Sequence, residues 1–428
     1  MEYLRAAFGL FCLVAFAFAV STNRRKIDWR LVLIGITLQV IFGLLITQVE
    51  LVKNAFNWIS GQFVILLGFS SDGASFLFGN LINSDQIGFV FALQVLPTVI
   101  FFSTLTTGLY YLGVLQVIVK GIAWVMARSM RLSGAEALSA AGNIFLGQTE
   151  APLLVRPFVP KMTQSELMCL MTGGMATIAG GVLAGYVAFL GGNDPVEQER
   201  FAVYLLSASI MNAPAAIVMS KIIIPELYRD AINTDLKVSS GSMGANLIDA
   251  LATGAAEGLK LALNIGAMLL AFIALIAAIN YLLGAIGGLL GLNELIQTST
   301  GGTFSGLSME YLLGQIFRVF AFVIGVDWHE SLQVGSLLGQ KVAVNEFVAY
   351  LGLSEMVENN TLSQKSIIIS TYALCGFANF SSIAIQIGGI GGMAPSQQGN
   401  ISKLGLRALL AATIATMMTG TIAGALMT

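Results

Sequence analysis

Gly142-Asn143-Ile144-Phe145-Leu146-Gly147-Gln148-Thr149-Glu150-Ala151-Pro152-Leu153-Leu154-Val155 is an apolar run with an amide, a hydroxyl and a carboxylate at its middle. The stretch around it, 134–158, is apolar enough to enter a bilayer, yet an ionisable group at membrane depth costs on the order of 2.5 to 3.5 kcal/mol. It therefore does not read as a simple span. A second stretch, 328–352, is interrupted in the same way at Asn345-Glu346. Both read as re-entrant hairpins, whose tips leave backbone groups unpaired at membrane depth, and that is tolerated only around a cavity or a bound polar species.

Composition agrees with a lipid setting. Of 428 residues, 56% are hydrophobic and 10% charged, and the mean hydropathy is +0.82, whereas a soluble domain carries about a quarter charged residues. An all-α integral membrane protein is expected. The net charge of -2 leaves no basic excess for a phosphate backbone, which excludes nucleic acid as a partner. Three scattered cysteines (Cys12, Cys169, Cys375) and a single histidine (His329) offer neither a disulfide framework nor the ligand clusters of a metalloenzyme. His329, beside Asp327 and Glu330, reads as a solvated interfacial residue. No His-Glu-x-x-His or Gly-x-Ser-x-Gly pattern occurs, so transport rather than catalysis is expected.

A spanning helix needs about 20 apolar residues. Eight spans are expected, at 3–21, 29–48, 88–107, 166–190, 201–223, 260–283, 366–391 and 404–426, and the segments 51–70 and 109–127, with Lys53 and Lys120 on otherwise apolar faces, suit interfacial helices. The first span reads as a retained helix running from outside to inside, because Arg24, Arg25, Lys26 and Arg30 follow it. Carried through eight spans, that orientation places Lys120, Arg128, Arg131, Arg156, Lys161, Lys221, Arg229, Lys237, Lys260, Lys403 and Arg407 inside as well. Arg5, Lys53, Arg200, Arg318, Lys341 and Lys365 fall outside. Both termini are then expected outside.

The chain divides by this reading into N-terminal spans, mainly scaffold (1–107), an interfacial helix (108–133), the first hairpin with a broken helix and the following span (134–223), a loop with a scaffold helix and an external segment (224–308), and the second hairpin with a broken helix and the last span (309–428). Each hairpin precedes a Gly-interrupted helix: Gly173, Gly174, Gly180 and Gly181 after the first, Gly376, Gly388 and Gly389 after the second. Glu150 to Gly180 and Glu346 to Gly376 are both 30 residues, the pattern expected of an inverted repeat with a midplane site.

Glu150 and Glu346 need compensation, either as caps on half-helix N-termini or as ligands of a bound polar species. Asn143 and Thr177 offer neutral oxygens. Singly each reads as an interhelical hydrogen bond, and together beside a hairpin break they suit a sodium ion. Phe377, Asn379, Ser381 and Ser382 form a polar-aromatic cluster in the second broken helix, able to stack on a planar ligand and bind its polar edge, or to serve helix packing.

Gly147-Gln148-Thr149-Glu150-Ala151-Pro152, Asn345-Glu346-Phe347 and Cys375-Gly376-Phe377-Ala378-Asn379-Phe380-Ser381-Ser382 resemble the signatures of the concentrative nucleoside transporters in their shorter bacterial form. The resemblance covers nearly the whole chain. It implies a sodium-coupled nucleoside symporter of the cell inner membrane, a homotrimer in lipid, in which a scaffold holds a transport part that moves by an elevator-like displacement. It further implies that Gln148, Thr149 and Glu150 face the nucleobase, with Val182 beside it and Phe377 lining the pocket, and that Glu346, Asn379 and Ser382 bind the ribose. For sodium it implies the side chains of Asn143 and Thr177 and the carbonyls of Leu146 and Ile178. The family often has Ser where Thr177 stands, and the hydroxyl is kept. The alternative, sodium-coupled uptake of an amino acid or dicarboxylate, is disfavoured for the dicarboxylate, because Glu150 and Glu346 would repel it and no intramembrane Arg would clamp it.

Overall fold

The structure, a computed structural model, describes residues 2–82, 90–192, 194–228, 236 and 244–427, and among these all regular structure is helical. Apolar composition supplies the helices, and short polar residues start them. Asp28 caps α2 (Trp29–Gln48), Ser133 caps α6 (Gly134–Gly142), Thr163 caps α7 (Gln164–Ala176) and Asp194 caps α9 (Pro195–Ile223). Ser133 and Thr163 belong to full capping boxes, with Glu136 and Glu166 reaching back to the cap N–H.

Among the described residues eight helical stretches are long and apolar enough to cross a membrane, seven of them at expected spans. The expected span 366–391 is two short helices, α15 (Gln364–Leu374) and α16 (Phe380–Met393), of 11 and 14 residues. In its place stands α3 (Glu50–Phe78), continued by a 3-10 turn to Ile82, where a shorter interfacial helix was expected. The charges of α3 gather at its ends, Glu50 and Lys53 at one and Asp72 towards the other, and leave an uncharged stretch between them. The expected span 260–283 is the middle of α10 (Leu247–Leu289), whose 43 residues run about 64 Å at 1.5 Å per residue. Interfacial segment 109–127 corresponds to α5 (Val114–Met130), buried along one face by Leu115, Val119, Ala123, Met126 and Met130. Arg229, Lys237 and the first residues of span 88–107 lie outside the described residues.

Both hairpins are helix–break–helix. The first is α6, a turn through 143–150 and the 3-10 helix Ala151–Val155; the second is α13 (Ser331–Ala343) and α14 (Glu346–Glu358), joined at Val344-Asn345. Each is followed by a broken helix, α7 with α8 (Gly180–Gly191), then α15 with α16. The glycine echo is not a matched register, since Gly180 opens α8 whereas Gly376 lies inside the break before α16.

The innermost helices are α7, α8, α9 and α17 (Gln398–Leu426), against which α1 (Glu2–Ala19), α2 and α15 pack. Outside them, α4 (Leu96–Tyr111) packs along α10 where Gly254 and Gly258 face Thr107 and Ile100. The rest of α10 is exposed and apolar, with Leu263, Leu270 and Leu282 at 61%, 77% and 61% exposure, a surface suited to lipid or to other copies of the chain.

Two lysines counted as an inside and an outside charge, Lys221 and Lys341, are instead buried within the protein. Lys221 pairs with Glu136, and Lys341 donates to the Ala373 carbonyl and to Thr416 Oγ1, both at 2.9 Å. Neither is a loop charge, so neither reports sidedness. One leaves each side of the count, and the bias of the expected topology survives.

Candidate functional site

The two helix breaks touch. Between α7 and α8, Thr177-Ile178-Ala179 leave the helix with Thr177 extended at φ -120 and ψ 170. Between α15 and α16 the chain runs from Cys375 to Asn379, and the Phe377 N–H donates to the Thr177 carbonyl at 3.3 Å. Gly376 is required by this approach, since a Cβ there would stand 2.8 Å from the Ala176 carbonyl oxygen, a backbone atom that cannot swing away. The first hairpin tip docks on the same place through the Gly180 N–H, which donates to the Phe145 carbonyl at 3.0 Å.

Around this meeting point runs a chain of buried polar side chains. Gln148 Nε2 donates to Ser382 Oγ at 3.0 Å. Asn379 caps α16, its Oδ1 accepting from the Ser382 N–H at 2.9 Å and from Ser381 Oγ at 2.7 Å, while its Nδ2 donates to Glu346 at 2.9 Å. The other oxygen of Glu346 accepts from the Tyr186 hydroxyl at 2.9 Å. Glu346 therefore has protein donors on both oxygens, where the sequence offered a half-helix cap or a bound polar species as its compensation. Val182 is buried one helical turn before Tyr186, on the same face of α8. On the first tip, Glu150 accepts the Gly147 N–H at 3.0 Å and so closes its own turn instead of capping the 3-10 helix that follows. Thr149 sits against Gly389, where a Cβ would lie 2.8 Å from its methyl group. Thr149, Glu150 and Phe377 stay half-buried, while Gln148, Val182, Glu346, Asn379 and Ser382 are buried.

Asn143 is 1% exposed, and its Oδ1 and Nδ2 are both buried without a hydrogen-bond partner among the described residues. An orphaned buried amide calls for a ligand. It faces Gly173, where a Cβ would be 3.1 Å from Nδ2, and the Thr177 hydroxyl donates to the Gly173 carbonyl at 2.9 Å, which leaves its lone pairs free to accept. Leu146 and Ile178 are buried in the two segments that meet here, the hairpin tip and the helix break. Neutral oxygens of this kind fit a sodium ion.

Two residues escaped the sequence reading, Tyr186, which holds Glu346, and Gln386, whose Nε2 donates to Gln148 Oε1 at 3.2 Å and to the Met171 carbonyl at 3.0 Å; Lys341, counted there only as an outside charge, lies inside the second hairpin. The available signal was a polar group within the apolar runs of α8, α16 and α13.

This geometry has counterparts. Family models described as the N-terminus and C-terminus of the Na+ dependent nucleoside transporter match residues 8–81 and 204–424, and one described as nucleoside recognition matches 92–193 between them. The chain belongs to the sodium-dependent nucleoside transporter family. Its relatives include the Bacillus subtilis "Uncharacterized transporter YutK", 43% identical with 99% of both chains covered. The mouse sodium/nucleoside cotransporter 1 is 38% identical over 99% of this chain and 64% of its own length. Among solved structures, CNTnw in an inward-facing substrate-bound state is 39% identical, covers 100% of this chain and 98% of its own, and superposes with a TM-score of 0.89. An outward-facing state of a doubly substituted CNTnw, covering the same shares at 39% identity, gives 0.88.

Proposed function

We propose that this member of the family is a sodium-coupled symporter of the cell inner membrane that takes up nucleosides such as uridine, acts as a homotrimer and works by an elevator-like displacement. The observation that carries the reading is the continuous polar chain Gln148–Ser382–Asn379–Glu346 at the contact of two helix breaks, beside the orphaned Asn143 amide. A nucleoside has a planar apolar face, a base edge of donors and acceptors, and sugar hydroxyls that donate to carboxylates. Gln148, Thr149 and Glu150 would meet the base, with Val182 and Phe377 against its plane, and Glu346, Asn379 and Ser382 would take the ribose. Sodium, the co-substrate, would sit among Asn143, Thr177 and the Leu146 and Ile178 carbonyls.

The hairpins, the broken helices, α9 and α17 pack into one body suited to move together, while α4 and α10 supply the scaffold and α10 its outer face towards other copies. Both termini face outside, and α3 lies along the interface without crossing. Were α3 to cross, the basic residues Lys120, Arg128, Arg131, Arg156 and Lys161 would fall outside, against the positive-inside bias.

The test is uptake of labelled uridine by the purified protein in liposomes. An inward sodium gradient should drive accumulation, potassium in its place should not, and unlabelled nucleosides should compete while amino acids and dicarboxylates should not. Competition by those solutes instead would assign the site to them.

A further inference from the structure

Gln386 is fully buried in α16, and its Nε2 is shared between the Met171 carbonyl at 3.0 Å and Gln148 Oε1 at 3.2 Å. Gly174 makes room for the pair, since a Cβ there would lie 2.9 Å from Gln386 Nε2 and 3.0 Å from Gln148 Cβ. The Met171 carbonyl can only accept, so it fixes which end of the Gln386 amide faces it; the reverse orientation would set oxygen against oxygen. With the Gln386 nitrogen so placed, the atom of Gln148 facing it must be the oxygen. The NH2 of Gln148 is thereby turned to the other side, where one N–H reaches Ser382 Oγ at 3.0 Å and the second remains for a ligand.

We propose that Gln386 is a positioning residue that locks the Gln148 amide so that it offers the substrate a donor, and thereby sets the transporter's preference among nucleobases. The proposal rests on the reading of Gln148 as a base-facing residue. A free glutamine could turn its amide to suit a donor or an acceptor on the base. Anchored through Gln386 to a backbone carbonyl, it cannot do so without giving up the bond from Gln386, although Ser382 Oγ could serve either end.

Uridine and cytidine present inverted donor and acceptor patterns at positions 3 and 4 of the base, so the ratio of their half-saturation constants reads the direction of the amide. Gln386→Glu keeps the shape but replaces the donor with an acceptor, which turns the Gln148 amide round; Ser382 Oγ, able to donate, then meets its oxygen. The loss of the bond to the Met171 carbonyl is common to both nucleosides and cancels in the ratio. In liposomes at fixed sodium, the uridine-to-cytidine ratio should move by about threefold or more in Gln386→Glu. Gln386→Leu, which frees the amide to take either direction, should bring the ratio towards one. In a Gln148→Ala background neither substitution should move it.

Both half-saturation constants rising together at an unchanged ratio, or the same shift of ratio without Gln148, would overturn the proposal and leave Gln386 as a packing residue. If Gln386→Glu does not reconstitute, Gln386→Leu decides alone, and a wild-type ratio there overturns it. A wild type that takes up neither nucleoside refutes the function reading first, which keeps the two failures apart.

Discussion

Glu346 carries the sharpest chemistry in the molecule. It starts α14, and its two oxygens accept from Tyr186 and Asn379, so a carboxylate that composition makes costly is already held by two donors. Each oxygen keeps a further lone pair, which the ribose hydroxyls of the proposed substrate would use. Glu346→Gln retains the shape but turns one acceptor into a donor, and hydrogen bonds to a charged group contribute roughly 1.5 to 3 kcal/mol each. Uridine affinity should fall about tenfold or more. The deoxy analogue that lacks the contacting hydroxyl should lose less on substitution than uridine does. Half-saturation measured for uridine and its 2′- and 3′-deoxy analogues makes the double cycle, and equal losses throughout would mean that the substitution acts only through Tyr186 and Asn379. Asn143 invites a simpler experiment. Asn143→Ala removes the orphaned Oδ1, so the sodium half-saturation for uridine uptake should rise; an unchanged sodium dependence would place the cation elsewhere.

The base of the first hairpin is held at the level of whole helices. Lys221, near the end of α9, pairs with Glu136 at the start of α6, lies 3.8 Å from Glu226 and donates to Ser165 Oγ at 2.9 Å; Thr163, the cap of α7, donates to Glu226 at 2.7 Å. Three helix ends are thus joined through one buried ammonium. Breaking a buried pair by removing one partner costs about 3 to 5 kcal/mol, because the other charge is left uncompensated. Lys221→Met should accordingly lower the thermal midpoint in detergent strongly, and adding Glu136→Gln should recover part of the loss. An equal drop in single and double variants would show that the pair is not the unit that matters. Much at this scale could be read in advance. A carboxylate inside an apolar run is expensive enough to mark both hairpin tips, and Gly180 and Gly376 mark the two breaks, whereas the pairs Gly173-Gly174 and Gly388-Gly389 lie within unbroken helix. What could not be read were contacts between residues distant in sequence. Nothing around Lys341 announces a hydroxyl at Thr416, and Gln386 within Ile-Ala-Ile-Gln-Ile reads as helix surface until Met171 is seen to face it. The length of α3 was harder to read, since its few charges sit towards its ends and interrupt nothing.

Across the whole molecule, α1 is tied to the loop before the second hairpin by Arg5, whose guanidinium donates to Asp327 Oδ1 at 2.7 Å and holds that carboxyl below its usual range. A carboxyl with a lowered folded pKa adds stability that is present above the ordinary value and lost as pH falls through the lowered one. The midpoint difference between wild type and Asp327→Asn should stay constant from pH 8 to 5 and close only below about pH 4. A difference that shrinks already near neutrality would point to another group.

The contact between the two breaks also bears on how cation and nucleoside sense one another. In the proposed arrangement one residue, Thr177, would border both sites: its hydroxyl donates to the Gly173 carbonyl beside the Asn143 amide, and its own carbonyl accepts the N–H of Phe377. Two ligands that border one residue have a coupling free energy, and thermodynamics makes it reciprocal. Whatever factor sodium brings to uridine binding at equilibrium, uridine must return to sodium. Thr177→Val should shrink both factors together, whereas Thr177→Ser should leave them in place.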